Sequence, residues 1–326
     1  MTLEHTQAAA YDTAAPMVTA ITGSDILSGV LDKIETLMHD VVDSDVTVLR
    51  DASRHILSAG GKRIRPRLLV LSYLACGGQE PETTAPLAGA VELVHTASVV
   101  HDDINDHGVL RRGRPSVNAI WGRTFALLTG DFLFTKVYEL MAPFKDLNVV
   151  LAEGTVALVE GETLQAQAVK ENNFSREVYY RVIGLKTAAL FSSAAKIGAM
   201  FANATKAQID ALNDFAYNIG LAFQIVDDVL DIIGDEAKLG KTAGIDVDQG
   251  RGFVSAHHGN GTAVVDAADP MASIKRRVLQ GDMLDEARSQ SRALVDMAIA
   301  KLDALPNSVY KQGLIDLANL VIEREF

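Results

Sequence analysis

The chain has 326 residues, 48% of them hydrophobic and 22% charged, the balance of a globular protein with a sizeable core. A formal net charge of −12 leaves no broad basic field to collect nucleic-acid phosphates, so any anionic ligand must be held by local basic residues and metal. The single cysteine, Cys76, excludes an internal disulfide framework and Cys-based zinc sites.

Residues 1–23 are rich in Ala and Thr and lack both a basic start and a continuous apolar run, which predicts a flexible N-terminal tail rather than a signal or transit peptide. Residues 24–326 are expected to form one domain. No run of about 18 or more apolar residues occurs, so a cytoplasmic protein without a membrane span is expected. Apolar residues then recur at the helical period through Ile26, Val30, Leu31, Ile34 and Leu37. Gly60-Gly61 opens a stretch with four cations in six residues, Lys62, Arg63, Arg65 and Arg67, and the glycines can bring backbone N–H groups close to an anion.

Leu87, Val91, Leu93 and Val94 resume the helical period and lead into His101-Asp102-Asp103-Ile104-Asn105-Asp106. In a helix, positions i and i+4 share a face with i+1 on its flank, so this DDxxD cluster aims two or three carboxylates one way. Arg111-Arg112-Gly113-Arg114 follows, and arginine forks suit phosphate oxygens bidentately. Helical periodicity continues over 131–141, 149–169, 176–201 and 206–233. The stretches 184–200 and 212–230 are apolar on nearly all sides, which places them inside a bundle.

The last of these carries a second DDxxD, Asp227-Asp228-Val229-Leu230-Asp231. Both clusters sit in apolar sequence, where carboxylates without counter-charge are costly. Carboxylates are hard ligands, one or two per ion with water and phosphate oxygens completing the shell, a pattern that suits Mg²⁺. After Gly250 the composition changes to a Gly/His-rich insert near 251–269 containing His257 and His258, read as a linker rather than a metal site. Helical pattern returns over 271–304 and 308–325.

These motifs together resemble the all-trans isoprenyl (polyprenyl) diphosphate synthase family. The resemblance runs from Gly60-Gly61-Lys62-Arg63-Ile64-Arg65-Pro66 through Glu92-Leu93-Val94-His95, both aspartate clusters, Gly130-Asp131, Gly161-Glu162-Thr163-Leu164-Gln165 and Lys186-Thr187 to Gly240-Lys241 and Asp246. It implies an all-α, single-domain helical bundle around a central cavity, usually homodimeric, that condenses isopentenyl diphosphate with an allylic diphosphate. Carried over by position, Asp102, Asp106 and Asp227 would bind Mg²⁺, about three ions per site, with Asp103, Asp228 and Asp231 in support. Arg111, Lys186, Thr187, Gln224 and Lys241 would hold the allylic diphosphate; Lys62, Arg65, His95 and Arg112 would hold isopentenyl diphosphate. Gln224 and the oxygens of Lys186-Thr187 would face the allylic cation. Two departures stand out: Asn118 where the family often has His, and Arg251 leading into the insert where the family continues with Lys.

Product length is expected to depend on Ala97 and Ser98, one turn before Asp102, where short-chain members carry a bulky aromatic. A small pair leaves the tail room, which predicts a product of at least four isoprene units, a geranylgeranyl or longer polyprenyl diphosphate, with Phe132, Phe134 or Tyr138 as candidates to close the tunnel deeper down. A class I terpene cyclase and a non-catalytic subunit of a heteromeric synthase are the competing readings. The second DDxxD and the second basic stretch argue against both.

Overall fold

The computed structural model describes residues 25–173, 175–233 and 283–323. The expected N-terminal tail, Lys241, Asp246 and the Gly/His-rich insert lie outside these.

The described chain is built from α-helices in sequence order: α1 (Asp25–Val41), α2 (Thr47–Leu57), α3 (Ile64–Ala75), α4 (Ala85–Asn105), α5 (Val117–Met141), α6 (Lys145–Glu171), α7 (Arg176–Ile183), α8 (Ala189–Phe201), α9 (Lys206–Ile233), α10 (Met283–Lys301) and α11 (Val309–Ile322). α4 packs along α5, α3 and α9 both pack on α8, and α10 covers α9. Leu68, Leu69, Phe191 and Phe215 are fully buried where α3, α8 and α9 meet, as the all-round apolar sequence of α8 and α9 requires. The continuous helical run 176–201 is apolar and long enough to cross a membrane, yet 78% of its most apolar window is covered by neighbouring helices. Its hydrophobicity is that of a core element.

Serine N-caps explain several helix starts. Ser116, Ser175 and Ser308 each accept a hydrogen bond through Oγ from the backbone N–H three residues on, satisfying a donor the helix cannot.

Three local features depart from the sequence expectation. α5 begins at Val117, well before 131, and bends at Gly122, whose φ of 80° interrupts the helical period. Its inner face is largely small, with Ala126, Thr129 and Gly130, while Phe125, Leu127 and Leu128 are exposed, so apolar spacing could not reveal it. A two-stranded hairpin pairs β1 (Leu110–Arg111) with β2 (Arg114–Pro115). Its turn places Arg112 at φ 53° and Gly113 at φ 73°, the paired left-handed residues that match strand twist. Finally, the helix expected over 176–201 contains one π-turn, Gly184–Ala188, between α7 and α8.

Candidate active site

The first aspartate cluster ends α4. Asp102 and Asp103 lie in its last turn and Asp106 is its C-cap, with its N–H bonded to the Asp102 carbonyl at 2.8 Å. Asp102 is 21% exposed, whereas Asp103 is fully buried. Asp103 Oδ1 accepts from Arg111 Nε at 3.0 Å and Nη2 at 2.5 Å, so the hairpin that carries Arg111 is tied to the cluster. Burial pushes the Asp103 carboxyl up, and Arg111 opposes that shift. Its other oxygen, Oδ2, is buried without a hydrogen-bond partner among the described residues. His101 fits beside the cluster because position 130 has no side chain; a Cβ there would lie 2.1 Å from His101 Nε2.

The second cluster lies on α9. Asp227 is half-buried, Asp228 and Asp231 are buried, and hydrogen bonds connect this wall to the π-turn. Thr187 Oγ1 donates to Gln224 Oε1 at 2.8 Å, Gln224 Nε2 donates to Asp228 Oδ1 at 2.7 Å, and Tyr179 Oη donates to Asp228 Oδ2 at 2.7 Å. The neighbouring Lys186 Nζ reaches the other way, 2.7 Å from Glu162 Oε1, 2.9 Å from Gln165 Oε1 and 3.8 Å from Asp102 Oδ2. The π-turn therefore links the two clusters, through Lys186 on one side and through Thr187 and Gln224 on the other. Two glycines let it sit there: a Cβ on Gly161 of α6 would lie 2.5 Å from Lys186 N, and one on Gly220 of α9 would lie 2.6 Å from Ala188 Cα. Single π-turns within α-helices are frequent at functional sites.

A basic cluster forms next to the first wall. The Cβ position of Gly61 is 3.0 Å from the Arg112 guanidinium, which fixes the glycine loop against the hairpin turn. Arg65, buried at 8% exposure, has an Nε without a hydrogen-bond partner among the described residues and stacks 4.7 Å from the Phe191 ring centroid. Its pKa is lowered to about 10, chiefly by burial, with Arg112 adding to the shift while Glu92 and Asp227 oppose it. His95 is held neutral, well below the usual imidazole range, by burial and by the charges of Arg65, Arg112, Arg63 and Arg111. Arginines this close repel one another, and a polyanion placed among them would relieve the repulsion.

The structure thus brings Arg65, His95 and Arg112 together, and Lys186, Thr187 and Gln224 together between the aspartates. Lys62 lies on the same glycine loop. Ala97 and Ser98 are buried in α4. Tyr138, a candidate for the deep tunnel wall, is instead 71% exposed. The buried face of α5 presents Leu133, Val137 and Met141. Two polar residues carry no expectation of their own from sequence, Tyr179, buried on Asp228, and Glu162, paired with Lys186; Arg63, counted among the anion-binding cations of the glycine-loop stretch, is instead paired with Glu35 and Glu92. Glu162 lay within a quoted motif, but nothing in the composition around Tyr179 marks it.

Among the described residues no three His, Cys, Asp or Glu side chains converge into a ready-made metal cage. That suits an ion held by one or two carboxylates on each wall and completed by water and phosphate rather than by protein alone. The charge balance fits a cation: Asp103 Oδ2 has no hydrogen-bond partner among the described residues, and burial with the neighbouring Asp102 pushes the Glu162 carboxyl up against the opposing Lys186.

Known proteins resemble this chain along most of its length. The polyprenyl synthetase family model matches residues 46–259. Octaprenyl diphosphate synthase of Escherichia coli is 32% identical over 306 residues, covering 87% of this chain and 92% of that protein. A short chain isoprenyl diphosphate synthase of Methanothermobacter thermautotrophicus is 35% identical over 309 residues, covering 89% and 95%. A polyprenyl synthase of Caulobacter crescentus, crystallised with calcium and isoprenyl diphosphate, superposes with a TM-score of 0.86 at 30% identity, covering 95% of this chain and 97% of its own. The match extends through both aspartate walls and the basic loop, and the chain belongs to the polyprenyl synthetase family.

Proposed function

We propose that this chain is a Mg²⁺-dependent trans-prenyltransferase that joins isopentenyl diphosphate head-to-tail to an allylic diphosphate, giving a product of at least four isoprene units. The observation that carries this reading is the π-turn between the clusters, with Lys186 reaching Asp102 and Thr187 linked through Gln224 to Asp228.

Breaking an allylic C–O bond leaves a carbocation and a diphosphate. Lys186 and Arg111, with Lys241 outside the described residues, would hold that diphosphate, while Asp102, Asp106 and Asp227 would hold Mg²⁺ against it. Asp103, Asp228 and Asp231 keep supporting places. The metal would supply neutralisation of the charge that develops on the leaving group. Thr187 and Gln224 would offer neutral oxygen dipoles to the cation without a nucleophile that could trap it. Lys62, Arg65, His95 and Arg112 would orient isopentenyl diphosphate so that its double bond attacks the allylic carbon. The released diphosphate is the natural acceptor of the departing proton, which leaves no side-chain base to be assigned.

Residues 24–326 are assigned to one synthase domain. The same reading includes a homodimer and a cytoplasmic enzyme. Support for the dimer comes from α5 and α6, where Leu127, Leu128, Tyr138, Val149, Val156 and Val159 are between 47% and 71% exposed.

Two single variants test the site. Asp102→Ala and Asp227→Ala should each lower kcat by several orders of magnitude, because their contacts act mainly on the departing group, with a milder effect on folding by circular dichroism. Near-normal turnover in either variant would show that the metal assignment is wrong.

A further inference from the structure

Arg63 and Arg67, two of the four cations in the glycine-loop stretch, bond to the protein itself. Arg67 Nε donates to the Lys62 carbonyl at 3.1 Å. Arg63 turns inward: its Nη1 donates to Glu92 Oε1 at 2.9 Å, its Nη2 to Glu35 Oε2 at 3.0 Å and to the Leu57 carbonyl at 3.1 Å, and its Nε to Glu35 Oε1. One guanidinium therefore joins α1, the end of α2 and α4. The Arg63 side chain is 6% exposed and that of Glu92 3%, so water contributes little to their solvation. The backbone of Arg63 is left-handed, φ 47° and ψ 41°, a conformation that a side-chain-bearing residue adopts only when its surroundings hold it. From that position its carbonyl accepts the Arg67 N–H at 3.0 Å and starts α3, which carries Arg65.

We infer that Arg63, held by Glu35 and Glu92, is a positioning residue that sets Lys62 and Arg65 at the isopentenyl diphosphate site without touching that substrate. The inference rests on the reaction proposed above. The left-handed residue sits between Lys62 and Arg65 at the start of α3, and three elements brace it through one side chain. If the brace loosens, the loop can relax out of the left-handed region and the two anion-binding residues lose their fixed spacing. Glu92 also lies three residues before His95 on α4, so the same brace bears on a third member of the site.

Two substitutions separate positioning from plain charge. Arg63→Lys keeps the charge and loses the planar fork, so a role through charge alone predicts no change. Glu35→Gln removes a negative charge at a partly exposed side chain, so charge alone predicts tighter anion binding. The brace predicts the opposite in both cases: KM for isopentenyl diphosphate should rise about tenfold in Arg63→Lys and about threefold in Glu35→Gln, with KM for the allylic substrate within about twofold of wild type. Thermal melts on the same samples register any general loss of stability, which by itself would leave the ratio of the two KM values where it was. Should Arg63→Lys fail to fold, Glu35→Gln decides the matter. Unchanged or lower KM for isopentenyl diphosphate, or equal rises for both substrates, would overturn the inference while leaving the reaction in place. Wild-type protein that cannot consume isopentenyl diphosphate would overturn the reaction and the inference with it.

Discussion

Tyr179 shows how a residue outside the recognised motifs can govern one inside them. Asp228 receives Tyr179 on one oxygen and Gln224 on the other, both at 2.7 Å, so its carboxylate is held as a fixed strut between α7 and α9. Tyr179→Phe removes one charge-assisted hydrogen bond and leaves the ring in place. It should cost about 1.5–3 kcal/mol of stability in denaturant unfolding and raise the Mg²⁺ concentration for half-maximal activity, because the neighbouring Asp227 loses its rigid support. Unchanged stability and metal dependence would mean that the bond is incidental. The charged motif residues were legible in sequence because their chemistry is unusual in apolar surroundings. Tyr179 was not, because one tyrosine in an amphipathic segment looks like any other core aromatic.

At the scale of elements, the sequence disclosed the helices whose apolar residues lie on one face or all round, and missed those whose inner face is made of small residues. α4 and α9 were read easily. The first half of α5 was not, since Ala126, Thr129 and Gly130 form its inner face and Gly122 breaks its period. The π-turn escaped for a different reason: a five-residue turn inside an otherwise regular apolar helix leaves apolar spacing almost unchanged, and only the close glycines on α6 and α9 reveal it. Length control belongs to this scale too. Ala97 is fully buried in α4 and Ser98 nearly so, one turn before Asp102 on the helix along which the proposed tail would run. Ala97→Phe or Ser98→Phe should shorten the product towards three isoprene units by filling that space, as sizing of the dephosphorylated prenols would reveal. Unchanged product length would place the control elsewhere in the bundle.

Across the whole molecule, one π-turn links the two aspartate walls, through Lys186 to Asp102 and through Thr187 and Gln224 to Asp228, and Arg63 ties the basic loop to α1, α2 and α4. The all-α class and the pairing of the two clusters could be read from sequence, since identical DDxxD patterns in apolar helices need a common counter-charge. A dimer was implied by the resemblance alone, because surface pairing leaves no periodic signal of its own. The exposed apolar residues of α5 and α6 predict a dimer of about 70 kDa, twice the 34.9 kDa chain, in sedimentation equilibrium. Leu128→Glu with Val156→Glu should shift it towards monomer, and a wild-type monomer at micromolar concentration would refute the assigned interface.

The central claim is that one site holds two diphosphates and extends a prenyl chain. It is tested most directly by incubating purified protein with labelled isopentenyl diphosphate and each allylic primer in turn, with Mg²⁺ or with chelator, and sizing the products. Label should appear in prenyl diphosphates of at least four isoprene units, formed only when metal and an allylic primer are both present. Label that stays in isopentenyl diphosphate with every primer, or elongation that proceeds equally well under chelation, would contradict it.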